Sequence, residues 1–322
     1  MTWFPWLCRL CLGLAGLTLL FELTLRASGS QDVGAVAVPQ TLQEQIASDK
    51  QLIHAAEWSG MEPRTMGRLW SRLATEYEDA GDFTNGEAAY NRALEFLQKA
   101  PNALIDYAAT LDNMGSMYLA KGNYDAAETC RKRSYAIREK TGDGLEIARG
   151  RWLLSEVQLA KHNYKEAQKN AFEAFHEMVV LNDPSVIERV AALTIVTYAS
   201  CMNHQCTLAI ESGHEATALA LAELPPDALL LGEARMAVGY AEWKAGVKNT
   251  PDEEMREGIR ILRKCTTPGH PYLLGAMSQY SNYLKDVHRT VEANEIAEEE
   301  KKLKGTLPSS CANCTVSVHG LR

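Results

Sequence analysis

The chain lacks most of what would mark an enzyme or a nucleic-acid binder. Its 33 Lys and Arg are outnumbered by 41 Asp and Glu, a formal net charge of -8, so no basic surface for phosphate backbones is expected. It has neither a Gly-x4-Gly-Lys phosphate loop nor a Gly-x-Ser-x-Gly nucleophile elbow. His176-Glu177 and His214-Glu215 each begin like a zinc-protease helix, but the second histidine is missing from both. These absences predict no catalytic residue, no bound metal and no cofactor. Runs alternating apolar and polar residues are scarce, which argues against a sheet. Apolar runs are short as well: the cleanest, Leu10 to Phe21, is about a dozen residues where a membrane span needs roughly twenty.

What the chain does have is helical spacing. Ala, Leu, Glu and Tyr recur at intervals of three and four. With 322 residues and 46% hydrophobic content, it can bury a sizeable core. The chain therefore reads as nearly all helix.

The first thirty residues stand apart. Arg9 precedes the apolar run, and Ala27, Ser28, Gly29 and Ser30 follow it, the layout of a secretory signal peptide cleaved after Gly29. The rival reading is an uncleaved anchor over residues 7–25, which Glu22 would make costly in hydrocarbon. Residues 1–29 are thus expected to be a signal or an anchor, residues 30–40 a flexible linker of small residues, residues 41–304 the helical body and residues 305–322 a tail. Export to a periplasm or medium follows if the signal is cleaved, and membrane contact only if it is not.

The body repeats. Gly81, Gly122 and His162 hold one turn position at a spacing of about forty, and Phe83, Tyr124 and Tyr164 follow two residues later. Further units run from Ile187 through Tyr198 to Ala209, from Ala234 through Trp243 and Gly246 to Leu262, and from Met277 to Glu300. A single helix pair cannot bury its apolar face alone, whereas stacked pairs share a continuous core. The residues Trp70, Leu73, Ala74, Tyr77, Gly81, Phe83, Tyr90 and Ala93, repeated as Leu111, Met114, Gly115, Tyr118, Gly122, Tyr124 and Ala127, resemble the tetratricopeptide repeat. The likeness extends over about Gly67 to Lys304 and fades in the fourth and fifth units. The forty-residue spacing is similar to the longer-helix variant of kinesin light chains and of exported bacterial repeat proteins. HEAT and armadillo repeats share that length but not the Tyr-x3-Gly-x-aromatic turn. The resemblance implies an all-α, right-handed α-solenoid of about six helix pairs, in which Ala74, Gly115, Ser155 and Gly239 mark the closest helix crossings.

The resemblance also implies a non-enzymatic scaffold that binds a peptide or protein in its concave groove. Arg68, Arg149 and Arg189 fall at an early groove-facing position, with Arg72, Asn113, Trp152 and Tyr240 nearby. Arginine forks suit carboxylates, so the partner is expected to be acidic; Trp152 and Tyr240 serve packing equally well. Ser71 and Asp112 stand where the family's carboxylate clamp has its basic residue, so that clamp is incomplete.

Two cysteine groups remain. Cys201, His204, Cys206 and His214 are zinc-type ligands within fourteen residues, but on one helix Cys201 and Cys206 would point apart, and core packing is the expectation. Cys311-Ala-Asn-Cys314 lacks the histidine of a haem-attachment site and is followed by a strand-like Thr315 to Val318. In an exported chain it reads as a small disulfide loop, with a metal site or redox accessory role as alternatives.

Overall fold

The computed structural model describes residues 41–305 except 184 and 267. The signal or anchor, the linker, and the Cys311–Cys314 pair lie outside the described residues. Among those described there are thirteen helices and no strand. A single helix, α1 (Leu42–Trp58), precedes six pairs. The pairs are α2 (Pro63–Asp79) with α3 (Phe83–Gln98), α4 (Leu104–Ala120) with α5 (Tyr124–Glu139), and α6 (Gly144–Ala160) with α7 (Tyr164–Val180). They continue as α8 (Val186–Met202) with α9 (Cys206–Glu223), α10 (Leu229–Lys244) with α11 (Thr250–Cys265), and α12 (Pro271–Asp286) with α13 (Thr290–Lys304). The expected solenoid of about six pairs is thus present, with α1 packed on α2 as an additional element.

Each pair turns in the same way. The second residue after the first helix takes positive φ at Gly81 (71°), Gly122 (72°), His162 (62°), His204 (60°), Gly246 (77°) and His288 (61°). The next residue's N–H reaches back to a carbonyl of the last turn: Asp82 to Tyr77, Asn123 to Tyr118, Asn163 to Gln158, Gln205 to Ser200, Val247 to Glu242 and Arg289 to Leu284, all at 2.8–2.9 Å. This 6→1 bond with a left-handed residue is the Schellman closure, which satisfies carbonyls that a helix end would otherwise orphan. Asp82 and Asn123 then cap the second helix by accepting from the N–H groups of Asn85 and Ala126. The repeated turn extends beyond the three positions legible in sequence to His204 and His288, where histidine hides the glycine signal.

Seven residues before each turn stands a small buried side chain: Ala74, Gly115, Ser155, Thr197, Gly239 and Ser281. The partner helix comes close there. A Cβ on Gly239 would lie 2.9 Å from Met255 Cγ, a Cβ on Gly213 would lie 3.2 Å from Thr197 Cγ2, and Ser281 Oγ donates to the Ala293 carbonyl at 2.9 Å. The core is distributed along the stack, with its largest cluster spanning α6 to α11 around Trp152, Leu193, Ile195 and Leu231. No helix among the described residues is long and apolar enough to cross a membrane.

The left-handed turn sets a testable stability difference. Gly122→Val places a β-branched residue at φ 72° and should cost about 1–2 kcal/mol. His204→Gly relieves the same constraint at φ 60° and should hold or raise stability; urea unfolding followed by circular dichroism separates the two.

Candidate partner-binding face

The first helix of each pair touches the first helix of the next, from α2·α4 through α10·α12, and the second helices have no comparable contact with one another. Elements that approach on one side and splay on the other form a curved stack, so α2, α4, α6, α8, α10 and α12 line its inner face.

Three of the expected groove arginines have a structural task on this face. Arg68 and Arg149 each stand thirteen residues before the turn residue of their own pair, and each bridges to an acid on the next first helix. Arg68 pairs with Asp106 at 2.7 Å, beside Arg64 on the same carboxylate, and Arg149 pairs with Glu188 and Glu146. Burial alone would raise the Asp106 carboxyl, but hydrogen bonds from Arg68 and Arg64 outweigh it and hold the group below its ordinary range. Arg72 does the same backward, reaching Asp49 of α1 at 2.6 Å. Arg189 stands fifteen residues before His204, so it does not share the register of Arg68 and Arg149.

Behind this face lies a buried ionic network. Arg131 and Arg138 of α5, each at most 2% exposed, reach Asp112 of α4 and the acids of α6. Arg131 meets Glu156 at 3.0 Å, Arg138 meets Asp112 at 2.7 Å, and Arg138 also pairs with Glu146. Arg131 and Arg138, held by Asp112 within the second pair, thus tie that pair to the third.

Two clefts open on the inner face. One, of about 330 Å³, lies between α4, α6 and α8 and is lined by Asn113, Arg149, Trp152 and Glu188, with Asp112 and Arg138 at its base. Asn113 is half-buried there, whereas Trp152 is only 3% exposed and belongs mainly to the core. The other, of about 430 Å³, lies between α8, α10 and α12 and is lined by Tyr198, Tyr240, Met236, Leu262, Tyr272 and Glu233. Tyr240 is half-buried in it and tilts against Tyr198 with ring centroids 5.6 Å apart. The expected residues therefore divide into three places: Arg68 and Arg72 near the N-terminal end, Asn113, Arg149 and Trp152 in the polar cleft, and Tyr240 in the aromatic one.

Glu233 escaped the sequence reading. It is 6% exposed, and neither carboxylate oxygen has a hydrogen-bond partner. Burial, reinforced by the nearby Glu156, pushes its carboxyl well above the ordinary range. Its sequence signal is a lone acid within Leu229-Leu-Leu-Gly-Glu-Ala-Arg-Met236, a run otherwise suited to core.

The cysteine–histidine group divides. Cys201 closes α8 and Cys206 opens α9, so they do not share one helix; the turn at His204 brings them together in a small cluster with Ala209 and Ala241. Burial, then the neighbouring Cys206, pushes the Cys201 thiol up to about 12. His204 is exposed in the turn, and His214 faces Glu242 at 3.3 Å.

A helix-pair stack with a first-helix inner face defines a tetratricopeptide-type α-solenoid, and the comparisons agree. The family model described as tetratricopeptide repeat matches residues 106–174, within α4 to α7. The apo form of RapI is similar over 83% of this chain and 92% of its own, at 10% identity and a TM-score of 0.66. BtubC (BKLC) from P. vanneervenii is similar over 69% of this chain and 91% of its own, at 17% identity and a TM-score of 0.57. The Rap conjugation gene regulator of the plasmid pLS20, solved in complex with the Phr* peptide, covers 86% of this chain and 70% of its own, at 13% identity and a TM-score of 0.57. At such identities the likeness is one of fold. No curated protein sequence matches the chain.

Two outcomes test the electrostatics. Arg138→Leu removes one of two partners from Asp112 and from Glu146, leaving Arg131 on the first and Arg149 on the second, and should cost about 1.5–3 kcal/mol in urea unfolding. Because Glu233 holds its proton more tightly folded than unfolded, stability should fall as pH rises from the ordinary carboxylate range through its raised folded value. Glu233→Gln should abolish that fall, read as Tm against pH for both proteins.

Proposed function

We propose that this chain is a non-enzymatic scaffold that captures a protein or an extended peptide along the inner face of its solenoid. The observation that carries the reading is the pair of clefts on one continuous surface of first helices, spanning α4 to α12. Structurally similar proteins solved with the Phr* peptide or with competence and sporulation factor support it by analogy of fold. An acidic segment of the partner would meet Arg68 and Arg72, whose side chains stay 59% and 52% exposed despite their ion pairs. Export is part of the proposal: the mature chain would begin after Gly29 and work outside the cytoplasm, with Cys311 and Cys314 closing a disulfide that binding does not need.

The test is affinity capture with the chain from Gln31, followed by competition with variants. Arg68→Glu leaves Arg64 on Asp106 and should weaken capture about tenfold, ~1.4 kcal/mol. Asn113→Ala with Tyr240→Ala should weaken it further. Retention of the same partner at unchanged affinity by both variants would move the site off the inner face. Loss of capture in a Cys311→Ser, Cys314→Ser double variant, together with loss of a measured thiol–disulfide exchange activity, would favour the redox alternative.

A further inference from the structure

The aromatic cleft holds an acid without a partner. Glu233 is buried, lines the cavity between α8, α10 and α12, and makes neither a hydrogen bond nor an ion pair among the described residues. An isolated buried carboxylate is costly, and native folds rarely keep one without a purpose. The charged neighbour it feels is Glu156, another carboxylate, which is already matched by Arg131 at 3.0 Å. Lys244 lies against the rings of Tyr240 and Trp243, at 5.5 and 3.4 Å from their centroids, and makes no ion pair with Glu233. Among the described residues no lysine or arginine lines the cavity, and its one histidine, His162, has Nδ1 taken up by the Tyr164 hydroxyl at 2.6 Å.

The walls suit a positive charge. Tyr198 and Tyr240 contribute aromatic faces, and the Tyr198 hydroxyl is oriented by donating to Gln279 at 3.4 Å. Met236 and Leu262 supply apolar surface for an aliphatic stem. A cavity of about 430 Å³ is at the small end of ligand sites, large enough for one long side chain or a compact amine. Aromatic faces around a carboxylate attract an organic cation through ring quadrupole and charge together, and more strongly once water is displaced.

We propose that this cavity is an anchor pocket for a primary ammonium or guanidinium group on an aliphatic stem, with Glu233 as its counter-charge and Tyr198 and Tyr240 as its aromatic walls. The group could arrive on a lysine or arginine of the captured peptide, in which case the inference rests on the inner-face reading above, or on a free small amine, in which case it stands alone. On entry the cation would form the ion pair that Glu233 lacks, while the stem lies along Met236 and Leu262. A partner that also met Arg68 and Arg72 would then be acidic near the N-terminal end of the solenoid and basic near α10.

Saturation-transfer NMR on the full chain tests this with n-pentylammonium against the neutral n-pentanol. The ammonium should bind at least tenfold more tightly, and Glu233→Gln should erase that preference while leaving the alcohol unaffected. The wild-type comparison stands even if the variant misfolds. A second arm sets the acetylated, amidated peptide Ala-Ala-Lys-Ala-Ala against its norleucine counterpart. Tenfold preference for lysine, with tighter binding than n-pentylammonium, supports a peptide-borne cation; preference confined to the free amine supports a small-molecule one. Equal binding of charged and neutral probes in both arms would overturn the proposal. That failure would leave the Arg68 capture result untouched, whereas an inner face that does not bind the partner would show in capture while the free amine still bound.

Discussion

Each helix pair is held at one close crossing, and the rest of the solenoid depends on it. The small residue seven positions before the turn lets the second helix approach until Cβ atoms would clash: a Cβ on Gly239 would stand 2.9 Å from Met255. The Schellman turn fixes where that crossing falls, because a left-handed residue followed by a 6→1 bond reverses the chain with the same geometry in every unit. Chain reversal and crossing together fix the angle of each pair, and repetition of that angle produces a curved stack. Chemistry at the turn can vary as long as the conformation holds, which is why histidine serves at three of the six positions despite its Cβ.

Stacking one pair on the next uses charge as well as apolar burial. Arg68 and Arg149 bind acids of the following first helix, and Arg131 and Arg138 reach from α5 to carboxylates on α4 and α6. Every arginine of that buried network has a carboxylate within reach, which is the condition under which buried charge is tolerated. The inner face is consequently uneven. Its N-terminal half is ion-paired and polar, and its C-terminal half is aromatic with one unmatched acid. A partner recognised along both halves would be read by different physics at its two ends.

Shared architecture at 13–14% identity with solenoids solved in complex with competence and sporulation factor or with the Phr* peptide is a likeness of fold alone. What a cleft can take depends on its lining residues: Asn113 and Arg149 in one, Tyr198, Tyr240 and Glu233 in the other.

The periodicity of apolar residues and the glycine–aromatic turn made the fold legible from the sequence, down to the crossing residues Ala74, Gly115, Ser155 and Gly239. These are local rules: a helix, its end and a small side chain every forty residues are written within each unit. The site was legible only in part. Sequence register placed Arg68, Asn113 and Tyr240 on the first helices, but it could not show that Arg68 and Arg149 would meet acids about forty residues away, nor that Arg189 would fall out of register. Glu233 reads as an ordinary polar residue on a helix, and Cys201 and Cys206 read as divergent. Their partners, or the lack of one, come from other helices brought close by stacking. Which side chains line a cleft, and which acid is left without a partner within it, is a property of the assembled stack that no single repeat contains.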